Sequence, residues 1–446
     1  MNLNLNHPFS VVFRIIVIIL ITNIIKVNAQ SAYVAPVLPA IPDKTFSIIS
    51  YGATGDGFTD NTKAIQAAID VALKAGGGKV IIPSGVYLCG PVQFGNNLNL
   101  HIDSGAVLRM LPIDRYPGGT VDGANFISGS KLHDIAITGK GTIDGQGSPW
   151  WKFAKIESAK RPRMISFKDC DRILIGEVKL MNSPMFHIAI GGKTNNVTVQ
   201  GVTVHAPSSK DRIDPSHNTD ACDVTGHKIL IKNCDISVGD DNYTCGGGTS
   251  DVLITNCTYG NGHGVSIGSY TKGGVSNITV ENCTFTNTES GIRIKSDRDR
   301  GGIVENITYR NLKMTNVGIP ILIYASYKAK DKSFRNLQTI TPEIAATYPS
   351  ESIADKTPIY RNISFKDITA TTEEGKRAGL IWGLPEAAVE NITFDHVYIT
   401  AENPFGIFFA NNVQLTNCII LTREGKNKLA VTNSDITIDG VIQSKK

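Results

Sequence analysis

Stretches of nine residues that alternate apolar and polar positions recur along the chain from Arg172 onward. They read Arg172-Ile-Leu-Ile-Gly-Glu-Val-Lys-Leu180, Asn196-Val-Thr-Val-Gln-Gly-Val-Thr-Val204 and Lys228-Ile-Leu-Ile-Lys-Asn-Cys-Asp-Ile236. Asp251 to Tyr259, Asn277 to Phe285 and Asn306 to Met314 continue the series, and it returns at Asn362, Asn391 and Asn412. An alternation with period two is the signature of a strand whose successive side chains point to opposite faces. The starts at 172, 196, 228, 251, 277 and 306 are 24, 32, 23, 26 and 29 residues apart, and the 56-residue gap to 362 fits two turns or one long insertion. No helical pattern separates the copies. One strand per turn at this interval predicts an all-β solenoid, a single-stranded right-handed parallel β-helix.

A solenoid exposes its core at its ends and needs a cap. The strong amphipathic helix signal spans about residues 61–75, with Asp60 as its N-cap, and Ala64, Ile65, Ala68, Ile69 and Leu73 share one face. Gly76-Gly77-Gly78 stops it. Shorter alternating runs follow at 79–89, 98–102 and 106–110. Two stretches read as loops beside a groove, Gly141 to Trp151 and Asn182 to His187. The paired Trp150 and Trp151 fit either a sugar-stacking surface or a hydrophobic plug. Asn-x-Ser/Thr sequences at Asn196, Asn277, Asn306, Asn362 and Asn391 fall at one phase of the repeat. That phase favours side-chain ladders at turns over glycan acceptors.

Composition adjusts this picture in three places. The 446 residues carry a formal charge of +4, and losing Arg14 and Lys26 with the first 29 residues leaves 4 − 2 = +2, too weak a balance to argue for nucleic acid. The apolar run Ile15 to Ile25 ahead of small residues reads as a secretory signal, too short to span a bilayer well. The expected organisation is therefore a signal peptide at 1–29, a Pro-rich leader at 30–44 and the β-helix domain at 45–446, in an extracellular monomer free of the membrane once the signal is removed. Eight cysteines in an exported chain would ordinarily mean disulfides. However, Cys234, Cys257, Cys283 and Cys418 each follow an Asn at equivalent repeat positions, which predicts a buried column of thiols.

The chemistry concentrates between residues 218 and 295. Asn218-Thr219-Asp220, Gly239-Asp240-Asp241, Gly262-His263-Gly264 and Arg293-Ile294-Lys295 sit at nearly one phase of four successive turns. With strands about 4.8 Å apart, the four clusters span about 15 Å of one face. Ile292 and Ile294 point inward by alternation, so Arg293 and Lys295 point out together. Gly239 permits a bend that aims both Asp240 and Asp241 at the groove. A protonated carboxyl beside ionised carboxylates is the equipment of glycoside hydrolysis, and crowding three Asp residues raises the pKa of at least one. Arg293 and Lys295 suit a carboxylated sugar, which points to an acidic polysaccharide.

The four motifs in this order resemble the polygalacturonases, glycoside hydrolase family 28, over roughly residues 45 to 440. The resemblance implies an inverting pectin (homogalacturonan) hydrolase that needs no metal or other cofactor. It implies Asp240 as general acid, Asp220 and Asp241 holding the attacking water, and His263 supporting the acid. It further implies Asn218, Arg293 and Lys295 as substrate-binding residues, together with Tyr327 in preference to Tyr324. The stretch Gly-Ile-Arg-Ile-Lys-Ser-Asp-Arg-Asp-Arg-Gly-Gly looks most like bacterial-type members and leans toward exo action. Ala221-Cys222 departs from the family's usual Gly and larger apolar residue and bears on substrate preference. A rhamnogalacturonan or xylogalacturonan hydrolase, a calcium-dependent lyase and a non-catalytic pectin-binding solenoid are the competing readings.

Overall fold

The computed structural model describes residues 33–444; the expected signal peptide at 1–29 lies outside them. Parallel ladders stack turn upon turn. One core column runs Ile173, Val197, Ile229, Val252, Ile278, Ile307, Ile363, Ile392, Val413 and Ile436, each residue directly registered with the next. Every one of these side chains is buried, and each contributes about 1.5–3 kcal/mol of transfer free energy. The chain is a parallel β-helix, as the alternation predicted.

The nine-residue unit is not one straight strand, as read from alternation alone. Its first position is a left-handed bend: φ is +53° at Asn196, +57° at Asn277, +58° at Asn306 and +56° at Asn362. A second bend falls at the Asn five residues on, with φ +55° at Asn233, Asn256 and Asn282. Asn tolerates this region better than other residues with a Cβ, which explains why it recurs there. The side chains also form a ladder. Asn306 Nδ2 donates to Asn277 Oδ1 at 3.3 Å, Asn362 to Asn306 at 3.2 Å and Asn391 to Asn362 at 3.1 Å.

Ile307 registers directly with Ile363, so the 56-residue gap is one turn carrying a long insertion. The insertion holds a short helix at Pro342–Ala346. At the front, the helix Thr62–Lys74 buries Ile65, Ala68, Ile69 and Ala72 over the open end. It starts one residue later than expected: Asn61 is the N-cap, and Asp60 instead accepts a hydrogen bond from the Thr62 N–H at 2.9 Å. At the back, antiparallel pairings of Ile419–Thr422 with Gly425–Lys426 and of Leu429–Ile438 with Val441–Ser444 end the parallel stack.

The leader residues from Tyr33 onward lie along the solenoid wall. The Ala40 N–H donates to Asp134 Oδ1 at 2.8 Å and the Tyr33 hydroxyl to the Ile229 carbonyl at 3.0 Å. All eight cysteines are buried free thiols. Cys283 registers with Leu312, and through it the column continues to Ile368 and Val397. Trp150 and Trp151 are a plug: both are buried, Trp150 packs edge-on against Tyr116, and Trp151 Nε1 donates to the Ser183 carbonyl at 2.9 Å.

The ladder is testable. Asn306→Ala removes two side-chain hydrogen bonds and strains a left-handed bend, and should cost about 2–4 kcal/mol in urea unfolding. Asn306→Gly should recover the backbone share of that loss. Equal losses for the two variants would mean that the bend contributes nothing.

Candidate active site

The site is assembled by backbone turns that pass very close to one another. The Thr219 hydroxyl donates to the Ser216 carbonyl at 2.8 Å and accepts the Gly239 N–H at 3.0 Å, tying the first motif to the second. A Cβ on Gly239 would lie 2.0 Å from the Ser216 carbonyl oxygen, so only glycine fits. Gly262, at φ +62°, would place a Cβ 2.3 Å from the Asp240 carbonyl oxygen. Gly264, at φ +66°, would place one 2.2 Å from that of Gly291. Between them the His263 N–H donates to the Asp240 carbonyl at 2.9 Å. The buried His187 closes the other side, its Nδ1 3.2 Å from the Thr219 carbonyl. Burial lowers the His187 pKa to about 4, so the ring is neutral.

These turns bring the expected residues together around a cleft of about 440 Å³, lined by Asn218, Asp220, Asp240, Asp241, Lys295 and Tyr327 among others. Tyr327 is 37% exposed beside it and Tyr324 only 6%. The Lys295 Nζ lies 5.3 Å from the centre of the Tyr327 ring. A second groove of about 300 Å³ shares Asp223 and Thr225 with the cleft and extends it toward the N-terminal turns.

The three carboxylates occupy different electrostatic states. Asp241 is buried, its Oδ2 3.0 Å from Lys295 Nζ, and its Oδ1 accepts from Arg293 Nη2 and from the Ser266 hydroxyl at 2.9 Å. Burial alone would raise its pKa, but Arg293 and then Lys295 hold it well below the usual carboxylate range. Asp220 moves the other way: burial, followed by the charges of Asp240 and Asp241, holds it well above that range. Its Oδ1 is buried and accepts no hydrogen bond from the protein, so any partner must come from the cleft. Asp240 is half-buried, with Oδ1 2.9 Å from His263 Nδ1 and Oδ2 accepting from Asn218 Nδ2 at 3.3 Å.

Two placements go beyond the motif reading. Arg293 and Lys295 do point out of the core together, but here both pair with Asp241, and Arg293 Nε also donates to Ser266 at 3.0 Å. Asn218 is itself positioned by Arg161, whose Nη2 donates to Asn218 Oδ1 at 2.8 Å and whose Nη1 donates to the His217 carbonyl at 2.8 Å. Arg161 sits in an irregular loop with no repeat phase, so no sequence signal marks it. Glu289 and Ser266 likewise hold no repeat position that marks them, although both lie within four residues of one of the four motifs. Asp240, Asp241 and His263 offer three metal-type donor atoms within 4.8 Å of one another. Their lone pairs are engaged by one another and by the two cations, which makes the cluster a poor fit for a metal ion.

The Glycosyl hydrolases family 28 profile matches residues 80–419 of this chain. The chain belongs to that family. It is 33% identical to an exopolygalacturonase of Zea mays over 68% of this chain and 78% of that one. An endo-polygalacturonase of Pectobacterium carotovorum subsp. carotovorum is 32% identical over 70% of this chain and 78% of its own length. The solved polygalacturonase of Erwinia carotovora ssp. carotovora superposes with a TM-score of 0.67 at 27% identity, covering 85% of this chain and 98% of that one. A further profile, Rhamnogalacturonase A/epimerase, pectate lyase-like, matches residues 45–103.

The charge balance at Asp241 yields a prediction about stability. Asp241→Asn leaves two buried cations without their counter-ion and should destabilise the protein by about 3–5 kcal/mol in denaturant unfolding. A loss below about 1 kcal/mol would show that Arg293 and Lys295 do not depend on it.

Proposed function

We propose that this protein is a secreted, inverting glycoside hydrolase that cleaves α-1,4-galacturonosyl bonds of pectin. One observation carries the reading: two adjacent carboxylates in one cleft are held in opposite roles. Asp241 is kept ionised by Arg293 and Lys295, while Asp240 is bonded through Oδ1 to His263 Nδ1. Membership of family 28, and the polygalacturonase relatives on both the exo and the endo side, support the substrate class. Export is read from the signal pattern in residues 1–29.

In this reading Asp240 gives its proton to the departing glycosidic oxygen. A water molecule adds to the anomeric carbon from the opposite face and loses its proton to Asp241, which inverts the configuration. Asp220, held well above the usual carboxylate range by burial and by Asp240 and Asp241, orients that water by a hydrogen bond. The galacturonate carboxylate docks on Lys295 beside Tyr327, with Arg293 behind. A substrate carboxylate there competes with Asp241 for the same cation. Binding therefore loosens the hold on Asp241 and makes it a better base as the substrate arrives.

A second reading keeps the carboxylates but changes the polymer. The match of residues 45–103 to the rhamnogalacturonase profile favours a rhamnogalacturonan hydrolase as the alternative. It ranks second because those residues form the capping end and carry none of the site.

A timed digest of de-esterified polygalacturonan in EDTA separates the readings. Saturated products are expected, as monomer alone for exo action or as a spread of oligomers for endo action. No products would move the assignment to rhamnogalacturonan or xylogalacturonan, and unsaturated products would overturn hydrolysis. Asp240→Asn should lower kcat by about 100- to 10,000-fold with folding retained. Turnover within a few-fold of the parent protein would remove Asp240 as the acid.

A further inference from the structure

His263 is enclosed by carboxylates on both ring nitrogens. Nδ1 lies 2.9 Å from Asp240 Oδ1 and 3.5 Å from Asp241 Oδ1, and Nε2 lies 3.3 Å from Glu289 Oε2. A neutral imidazole has one N–H and one lone pair, whereas an ionised carboxylate can only accept. Glu289 at Nε2 and Asp241 at Nδ1 are both held below the usual carboxylate range and can only accept, so the ring satisfies both ends as the doubly protonated imidazolium, and Asp240 Oδ1 accepts the Nδ1–H while Oδ2 carries the proton of the acid. Glu289 is in turn fixed from two sides. Its N–H donates to the Gly262 carbonyl at 2.7 Å, and Lys210, from the loop before the first motif, reaches its Oε1 at 3.4 Å.

We propose that Glu289 is a positioning residue for the reaction, holding His263 as the cation whose Nδ1–H bonds the proton-donating Asp240. The inference rests on the role given to Asp240 under Proposed function. The charged groups facing His263 are Asp240 and Asp241 on the preceding turn, Glu289 on the following one, and Arg293, whose positive charge opposes the imidazolium. Against burial and Arg293, the three carboxylates push His263 up to about 10. Glu289 is pulled down to about 2: burial opposes the shift, and His263 and Lys210 outweigh it. The neutral His187, which faces carbonyl oxygens and a backbone N–H instead of carboxylates, is the internal contrast.

The consequence is a sign for the pH profile. A cation at His263 keeps the proton on the Asp240–His263 pair available up to alkaline pH. Removing the charge of Glu289 should release that proton earlier. The test follows the ring of His263 by NMR titration of the full protein, alongside kcat and KM on polygalacturonan across pH. In Glu289→Gln the His263 midpoint should fall by about one to three pH units. The alkaline limb of kcat should move down with it, while KM stays within two-fold. Glu289→Asp, which keeps the charge but not the reach, should fall between the two and decides the matter if Glu289→Gln does not fold. An unmoved His263 midpoint in both variants would overturn the proposal. So would a raised KM with an unmoved limb, which would make Glu289 a substrate contact. The expected midpoint shift without cleavage of galacturonan would leave the His263–Glu289 link standing and sink the polymer assignment instead.

Discussion

Consecutive turns of this solenoid lie about 4.8 Å apart and are hydrogen bonded through unbroken parallel registers. That spacing is the constraint from which the other features follow. Wherever the backbone turns a corner, its neighbours above and below turn at the same place. A side chain at such a corner must either stack on its own kind or be absent. Asn stacks and tolerates the left-handed bend, so it repeats. Glycine is what remains where two turns touch, as at Gly239, Gly262 and Gly264. Extra length leaves the stack between strands, as residues 325–358 do, without disturbing the register from Ile307 to Ile363.

The same stacking turns isolated charges into a site. Asp241 and its two cations are 52 and 54 residues apart in sequence, yet they sit on closely stacked turns and form one buried cluster. Burying a carboxylate there is tolerable only because both cations reach it. With those cations engaged, Asp220 has no such partner and is held well above the usual carboxylate range by burial and by its acidic neighbours, and Asp240 turns to His263. The three carboxylates are thus one arrangement, distributed across neighbouring turns, in which each group's partners are set by what lies above and below it.

Much of this was legible in the chain itself. Alternation revealed the strands, the interval between copies revealed the solenoid, and the phase of the four motifs placed Asp220, Asp240, Asp241, His263, Arg293 and Lys295 on one face. The outward pair at Arg293 and Lys295 followed from Ile292 and Ile294 alone. Asn–Cys recurrence foretold the adjoining thiols of Cys234, Cys257 and Cys283 but not that Leu312, Ile368 and Val397 divide them from Cys418, and the phase of the Asn-x-Ser/Thr sequences foretold the ladder. These inferences succeeded because side-chain direction in a strand is a local property with period two.

Other features could be settled only in three dimensions. Whether the gap before Asn362 was one turn or two depended on which strands paired. Whether Trp150 and Trp151 faced sugar or core depended on the packing of Tyr116 and Ser183. That Arg161 steadies Asn218, that Glu289 faces His263, and that Asp241 holds both cations are facts about distances between segments with no common sequence pattern. Periodicity fixes which way a residue points. The partner it meets, and hence the charge it carries, is decided by the turn stacked against it.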